Sequence, residues 1–202
     1  MKPDIDGGLG ERKMDLVGWI VLGLAVVALL WGIGIYNRLV RLRALVKEGF
    51  SGITVQLRRR SDLIPNLVST VEGYATHERE TLAQVTEHRG DAVKARGVAE
   101  TAQADNAFSA MLGRLMAVAE AYPDLKADDN FRQLQEELSE IEEHLQSARR
   151  YYNATVRDLN TRVQSFPDVL LARPMGFGEE EFYADDVAAL QTAPQVKFSA
   201  KA

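Results

Sequence analysis

Residues 16–36 read LVGWIVLGLAVVALLWGIGIY, 21 consecutive positions without a charged side chain. At about 1.5 Å of rise per residue, a helix of this length measures roughly 30 Å, the hydrocarbon thickness of a bilayer. Trp19 and Tyr36 stand near its two ends and Trp31 lies in its last turns, where amphipathic rings favour a membrane interface. Asp15 and Arg38 bracket the run, and Gly18, Gly23, Gly32 and Gly34 are tolerated better in lipid than in water. No other stretch of the 202 residues is comparably apolar. The sequence therefore predicts one transmembrane helix carrying a water-soluble body. Gly32-x-Gly34 is a weak match to a small-residue cleavage site, but the run is longer than the core of a cleaved signal peptide. A lipoprotein signal requires a cysteine, and the chain has none.

Composition narrows the functional classes. The absence of cysteine removes disulfides, thiolate metal sites and cysteine nucleophiles together. A net charge of -5 argues against nonspecific nucleic-acid binding. Lys2, Arg12 and Lys13 precede the run, and Arg38, Arg41, Arg43 and Lys47 follow it. Because orientation follows Lys and Arg and gives acids little weight, this asymmetry favours a short exported N-terminus and a cytoplasmic body at the inner membrane.

The body reads as all-α. Phe131, Leu138, Leu145, Tyr152, Leu159 and Phe166 recur at intervals of seven. A second row, Leu134, Ile141 and Ala148, drifts one place to Val156 and Val163, as expected of a nearly straight helix. One long helix is predicted from about residue 129 to 165, ended by Phe166-Pro167. Tyr36, Leu39, Val46, Phe50, Ile53 and Leu57 continue the transmembrane helix into water, to about Arg60. Ser61 or Asp62 is expected to cap a second helix running to about Arg96, with Pro65 in its first turn and Leu63, Leu67, Val71, Tyr74, Leu82 and Val85 on its apolar side. A third, from about Ala99 to Tyr122, turns Phe108, Met111, Leu112, Leu115 and Met116 inward, and Pro123 stops it.

Four amphipathic helices with short connections bury their stripes most simply as an antiparallel up-and-down bundle. Four passes return the chain toward the bilayer near Phe166. The expected organisation is a polar segment (1–15), a transmembrane helix (16–36), a helical bundle (37–166) and an extended acidic tail (167–202). Gly7-Gly8-x-Gly10 is expected to be a flexible tip. The tail carries Glu179-Glu180-Glu181 and Asp185-Asp186 with apolar islands at Met175, Phe177, Phe182 and Tyr183. Its composition predicts loose packing along the bundle, with a strip that binds a partner or lies at the interface as the alternative.

A catalytic centre is not legible. His77 and His88 are eleven residues apart, about 16 Å along one helix face, too far for one metal. The three histidines lack the Glu-x-x-His spacing of di-iron bundles, since Tyr74, Val85 and Ile141 stand three places before them. After His77-Glu78, Leu82 replaces the second histidine of a zincin motif. Pairs such as Glu136-Glu137 and Glu142-Glu143 read as a solvated helix face, and there is no nucleophile elbow, P-loop or dinucleotide fingerprint. Hence no catalytic, cofactor-binding or metal-ligating residue is assigned. Asn66 lies beside the second helix's apolar face, and Asn153 and Asn160 lie beside the last helix's aromatic row; an amide buried there would fix register or partner. Ala28-x-x-x-Gly32 permits close approach of a second helix in the membrane.

Read whole, residues 55–85, VQLRRRSDLIPNLVSTVEGYATHERETLAQV, resemble the signature region of the LemA family of bacterial membrane proteins. YNRLVRLRALV (36–46) resembles the family's juxtamembrane helix, and FRQLQEELSEIEEHLQSARRYYNATVRDLN (131–160) its last long helix. SFPDVLLARPMGF followed by Phe182-Tyr183 resembles its closing motif. Two departures stand out: Gly49-Phe50-Ser51 before Ile53-Thr54 in place of Ala-Trp-Ser before Ile-Asp, and Glu142-Glu143-His144 in place of Glu-Asn-Arg. The resemblance implies a single N-terminal anchor and a helical bundle. It supplies no reaction, and it raises a role in membrane organisation. Asp62, Pro65, Asn66, Tyr74, His77, Glu78, Asn153, Phe166 and Pro167 become candidate interaction or structural positions, beside the anchor residues Trp19, Ala28, Trp31, Gly32 and Tyr36. The expected function is a non-enzymatic scaffold whose partners are the bilayer and either copies of itself or another membrane protein, with no nucleic acid and no small-molecule substrate. The rival classes are a metal-dependent hydrolase using His77, Glu78 and His88, and a sensor signalling through the span at Ala28 and Gly32.

Overall fold

The computed structural model describes residues 7–75 and 77–183, with side chains from Val17 onward. Six helices follow in order, α1 (Gly7–Tyr74), α2 (Arg79–Lys94), α3 (Gly97–Glu120), α4 (Pro123–Ala127), α5 (Asp129–Gln164) and α6 (Val169–Ala172), with no strand among the described residues. The all-α expectation holds. The glycine-rich tip is not a flexible lead but the first turn of α1. Asp185, Asp186 and the rest of 184–202 lie outside the described residues.

The largest departure is at Ser61. Instead of breaking at Arg60, α1 continues through Pro65 to Tyr74, so neither Ser61 nor Asp62 is a cap. Proline has no N–H to donate to the carbonyl four residues earlier, which strips Ser61 of its helical partner. Here the Arg89 Nε–H of α2 donates to the Ser61 oxygen at 2.8 Å. The lost bond is replaced from outside the helix, and the helix persists. The chain turns instead at residues 75–78, where Glu78 N–H donates to the Ala75 carbonyl at 3.1 Å. Gly97, at φ +74°, opens α3 in a conformation that few other residues adopt. Pro123 starts α4 where its missing N–H costs nothing, and Asp128 caps α5 by accepting from Phe131 N–H at 2.9 Å.

Contacts divide the chain into two compact units, one within Met1–Ala44 and Asp158–Glu179, the other within Leu45–Arg157 and Glu180–Ala202. In the second unit, α1 and α5 run antiparallel: Tyr74 meets Asp128, Arg60 meets Glu142 and Phe50 meets Tyr152, each pair summing to the same residue total. Arg60 also meets Asp105 of α3, and Asp105 meets Arg149 of α5. With α2 packed on α3, the helices go up, down, up and down as expected. The core is built by Ile64, Leu67 and Val71 of α1, Leu82 and Val85 of α2, Phe108, Met111 and Leu115 of α3, Leu125 of α4, and Phe131 and Leu138 of α5. The helices approach closely at Gly49, where an added Cβ would lie 3.0 Å from Tyr152 Cα.

In the first unit, Ile35, Leu39, Leu159, Val163, Ala172 and Phe177 are buried. The last member of the seven-residue series, Phe166, is not: α5 ends at Gln164, and Phe166 is 80% exposed. After α5 the chain comes back alongside α1. A Cβ on Gly32 would lie 3.8 Å from Leu171 Cδ1, so α6 packs against the uncharged run of α1. Phe177 meets Tyr36 edge-on with centroids 5.8 Å apart, and Arg43 sits 4.1 Å over the Phe177 ring while donating to the Gly176 carbonyl at 2.6 Å. The segment after α5 is therefore pinned by buried side chains rather than loosely packed. Gly32, half-buried, has one side taken by Leu171 of its own chain.

Candidate functional site

The second unit's apolar stripes carry charges at three of their central positions. Val46, Ile53 and Leu67 are buried on α1, and Arg60 fills the missing place in that spacing of seven. Asp105 sits between Ala102 and Phe108 on α3, and Arg149 between Leu145 and Tyr152 on α5. Helical periodicity points these three side chains at each other. Arg60 and Arg149 each donate to Asp105, one to each carboxylate oxygen. Tyr183 O–H adds a third hydrogen bond to Asp105 Oδ2 at 2.7 Å. Arg60 Nη1 donates also to Ser109 Oγ at 3.0 Å and to Glu142 Oε2 at 3.1 Å, and Arg149 Nη1 lies 3.8 Å from Glu142 Oε1. Phe108 covers one guanidinium at 5.0 Å and the Tyr183 ring faces the other at 5.6 Å. The pairing of Arg60 and Arg149 with Asp105 offsets the cost of taking these charges out of water.

The same network holds the start of the tail. Asn153 Nδ2 donates to the Tyr183 carbonyl at 3.1 Å, and Tyr183 N–H donates to Asn153 Oδ1 at 2.9 Å. One side-chain amide thus pairs with the backbone as a neighbouring strand would. Tyr152 O–H donates to the Glu181 carbonyl at 2.7 Å. Burial, then the charges of Glu180 and Glu181, pushes the Tyr152 phenol up to about 12. Burial, then the Asp105 carboxylate, drives the Tyr183 phenol far above its ordinary value. Burial works against the charge on Arg149, but Asp105 outweighs it and raises the pKa. Asp105 accepts from three donors. Tyr183 is held neutral. This arrangement latches the start of the tail to the helices.

The other sequence candidates are scattered. Asp62 and Pro65 are exposed on α1, and Asn66 is exposed beside a shallow groove of about 410 Å³ with Ser69, Thr70, Asn130, Gln133 and Glu137. Tyr74 O–H donates to Asp128 at 2.9 Å, and this contact with the α5 cap raises the phenol's pKa and lowers the carboxylate's, the latter after the larger effect of Phe131 N–H. His77 is exposed in the α1–α2 turn, Glu78 is half-buried beside it, and His88 is half-buried on α2. Among the described residues no group of three His, Cys, Asp or Glu side chains comes within reach of one metal ion. Asn153 is the candidate that joins the central cluster, holding the tail rather than a second chain. Asn160 is buried on α5. Pro167 is half-buried after Phe166, and the bond between them is cis. Trp19, Ala28, Trp31 and Tyr36 are exposed along α1.

Sequence reasoning missed Arg60, Asp105, Arg149 and Tyr183 as a set. The signal was present: a charge standing in an apolar slot of a helical repeat needs a countercharge on a facing helix. The Arg58-Arg59-Arg60 run hid it, because two of its members, Arg58 and Arg59, are ordinary exposed surface residues.

The sequence as a whole is similar to known proteins. A family model described as the LemA family matches residues 49–198. Magnetosome protein MamQ 2 of Paramagnetospirillum magneticum is 26% identical over 179 residues, covering 76% of this chain and 66% of that protein. Magnetosome protein MamQ of Magnetospirillum gryphiswaldense gives the same identity and coverage. Protein LemA of Metamycoplasma hominis is 26% identical over 176 residues, covering 82% of this chain and 78% of that protein. The chain thus spans just under two thirds of the length of the MamQ proteins it matches. None of these names states a reaction.

Proposed function

From the premise that the chain belongs to the LemA family, we propose that it is a membrane-anchored, non-enzymatic scaffold. Its α-helical body would display its surface to copies of itself or to another membrane protein, on the cytoplasmic face of the inner membrane. The observation that carries this reading is the contrast between two regions. The apolar side chains from Val17 to Trp31 stand exposed around α1, which is long and apolar enough to cross a bilayer. The most chemically potent side chains of the body, Arg60, Asp105, Arg149 and Tyr183, are meanwhile spent on one another and on holding the tail. Two relatives are named as magnetosome proteins, which supports a role at an organised cell structure. The excess of Lys and Arg after the span supports the cytoplasmic placement.

The test is crosslinking of the full-length chain in native membranes with a lysine-reactive reagent. The scaffold reading expects discrete higher-mass species containing this chain, at its native abundance. A chain that crosslinks to nothing, while purified protein turns over a substrate in a manner lost on His77→Ala or His88→Ala, would instead establish the hydrolase.

A further inference from the structure

The first unit contains a second apolar surface that the anchor does not explain. Phe166 is 80% exposed, more than any other large hydrophobic residue among those described, Trp19 of the span included at 71%. Leu170 follows four residues later at 61%, and Met175 is exposed as well. Leaving such side chains in water is unfavourable by roughly 25 cal/mol per Å² of apolar surface. Their position decides what covers them. Leu171, next to Leu170, packs on α1 at Gly32, inside the uncharged run that ends at Tyr36. Four residues of helix place Gly32 about 6 Å deeper along α1 than Tyr36. That is the depth, about 5–10 Å, to which apolar faces of interfacial helices enter the headgroup and acyl boundary. The segment then climbs out, since Phe177 lies against Tyr36 and under Arg43.

The polar groups agree with this depth. Asp168, the acid within the segment, is buried and lies 3.5 Å from Arg162. Arg173 is exposed beside Leu170, and Arg38 and Arg41 are exposed on α1 just beyond Tyr36. A long arginine stem can lie along apolar surface while its head reaches phosphates.

We propose that Phe166–Met175 is a lipid-embedded foot: a non-spanning segment whose Phe166, Leu170 and Met175 side chains enter the same bilayer leaflet from which α1 emerges, with Arg38, Arg41 and Arg173 on the phosphate layer. This rests on α1 being the anchor. The foot fixes the end of α5 to the membrane surface, giving the chain a second attachment besides its span.

The natural absence of cysteine makes the test clean. Single-cysteine variants of the full chain, Val26→Cys, Phe166→Cys, Leu170→Cys and Glu179→Cys, are labelled with a polarity-sensitive fluorophore. They are reconstituted in phosphatidylcholine–phosphatidylglycerol vesicles with or without nitroxide-labelled acyl chains, and iodide probes water access. The probes at Phe166 and Leu170 are expected to show blue-shifted emission, with lipid quenching several-fold above that at Glu179 and iodide quenching well below it. If the Val26 probe is lipid-quenched while those at 166 and 170 behave like Glu179, the foot is refuted and the anchor stands. If none of the probes meets lipid, the anchor falls and the foot with it. If Leu170 is shielded from both quenchers and Leu170→Cys chains form an intermolecular disulfide, the face belongs to a second copy, and the lipid assignment is overturned.

Discussion

Replacing Asp105 with alanine is expected to destabilise the second unit by about 3–5 kcal/mol, the range found when one partner of a buried ion pair is removed. Asp105 is 1% exposed, and Arg60 and Arg149 are 2% and 6% exposed. Both guanidiniums would stay in a dry site without the carboxylate they share, and Glu142, which both also approach, is partly exposed. The measurement is thermal unfolding of the full-length protein in detergent, followed by circular dichroism. Asp105→Asn keeps the shape and should fall between wild type and Asp105→Ala. The combined change Arg60→Met, Asp105→Leu and Arg149→Met should be less destabilising than Asp105→Ala alone, because it removes every charge that the single change strands. An Asp105→Ala protein with an unaltered melting temperature would mean that the network contributes nothing to the fold.

Tyr183→Ala is the second large effect. It deletes a ring that is 1% exposed and leaves the Asn153 hydrogen bonds to the backbone of residue 183 without the buried side chain that anchors them. Truncation of a buried aromatic costs about 3–5 kcal/mol, and here the loss should come with local opening. Cleavage by a Glu-specific protease at Glu179–Glu181 should accelerate before the bundle unfolds. Tyr183→Phe keeps the ring and loses the 2.7 Å bond to Asp105, which still accepts from Arg60 and Arg149, so its cost should be about 1.5–3 kcal/mol, that of one hydrogen bond to a charged group.

The pH dependence has a definite sign. Burial and Asp105 raise the Tyr183 phenol's pKa, so folding favours its neutral form. That contribution is fully present below the ordinary value of 10.0 and is lost as pH rises above it toward the folded value. Tyr152, pushed up to about 12, acts in the same direction. Wild type should therefore lose stability above pH about 10 more steeply than Tyr183→Phe, in which the Tyr183 contribution is gone.

What the sequence discloses follows from what periodicity can report. The spacing of seven from Phe131 to Leu159 gives α5 its length and its buried face, because those positions pack on other helices whatever the details. It fails at Phe166, where the pattern continues after the helix has stopped. The α1 boundary fails for another reason. Pro65 and Ser61 read locally as a helix start, and only Arg89, 28 residues away in sequence, makes the continuous helix affordable. The latch is a long-range object of the same kind: Asp105 and Tyr183 are separated by 78 residues, and no local spacing links them. Asn153 was visible as an unusual amide beside an aromatic row, but the sequence could not say that its partner is the backbone of Tyr183.

The account depends on lipid, not protein, covering the exposed apolar surface of α1 between Val17 and Tyr36. Washing membrane vesicles with alkaline carbonate strips proteins held by charge or by partners and leaves those embedded in the bilayer. The full-length chain is predicted to remain wholly in the membrane pellet. Its release, intact, into the supernatant would contradict the account.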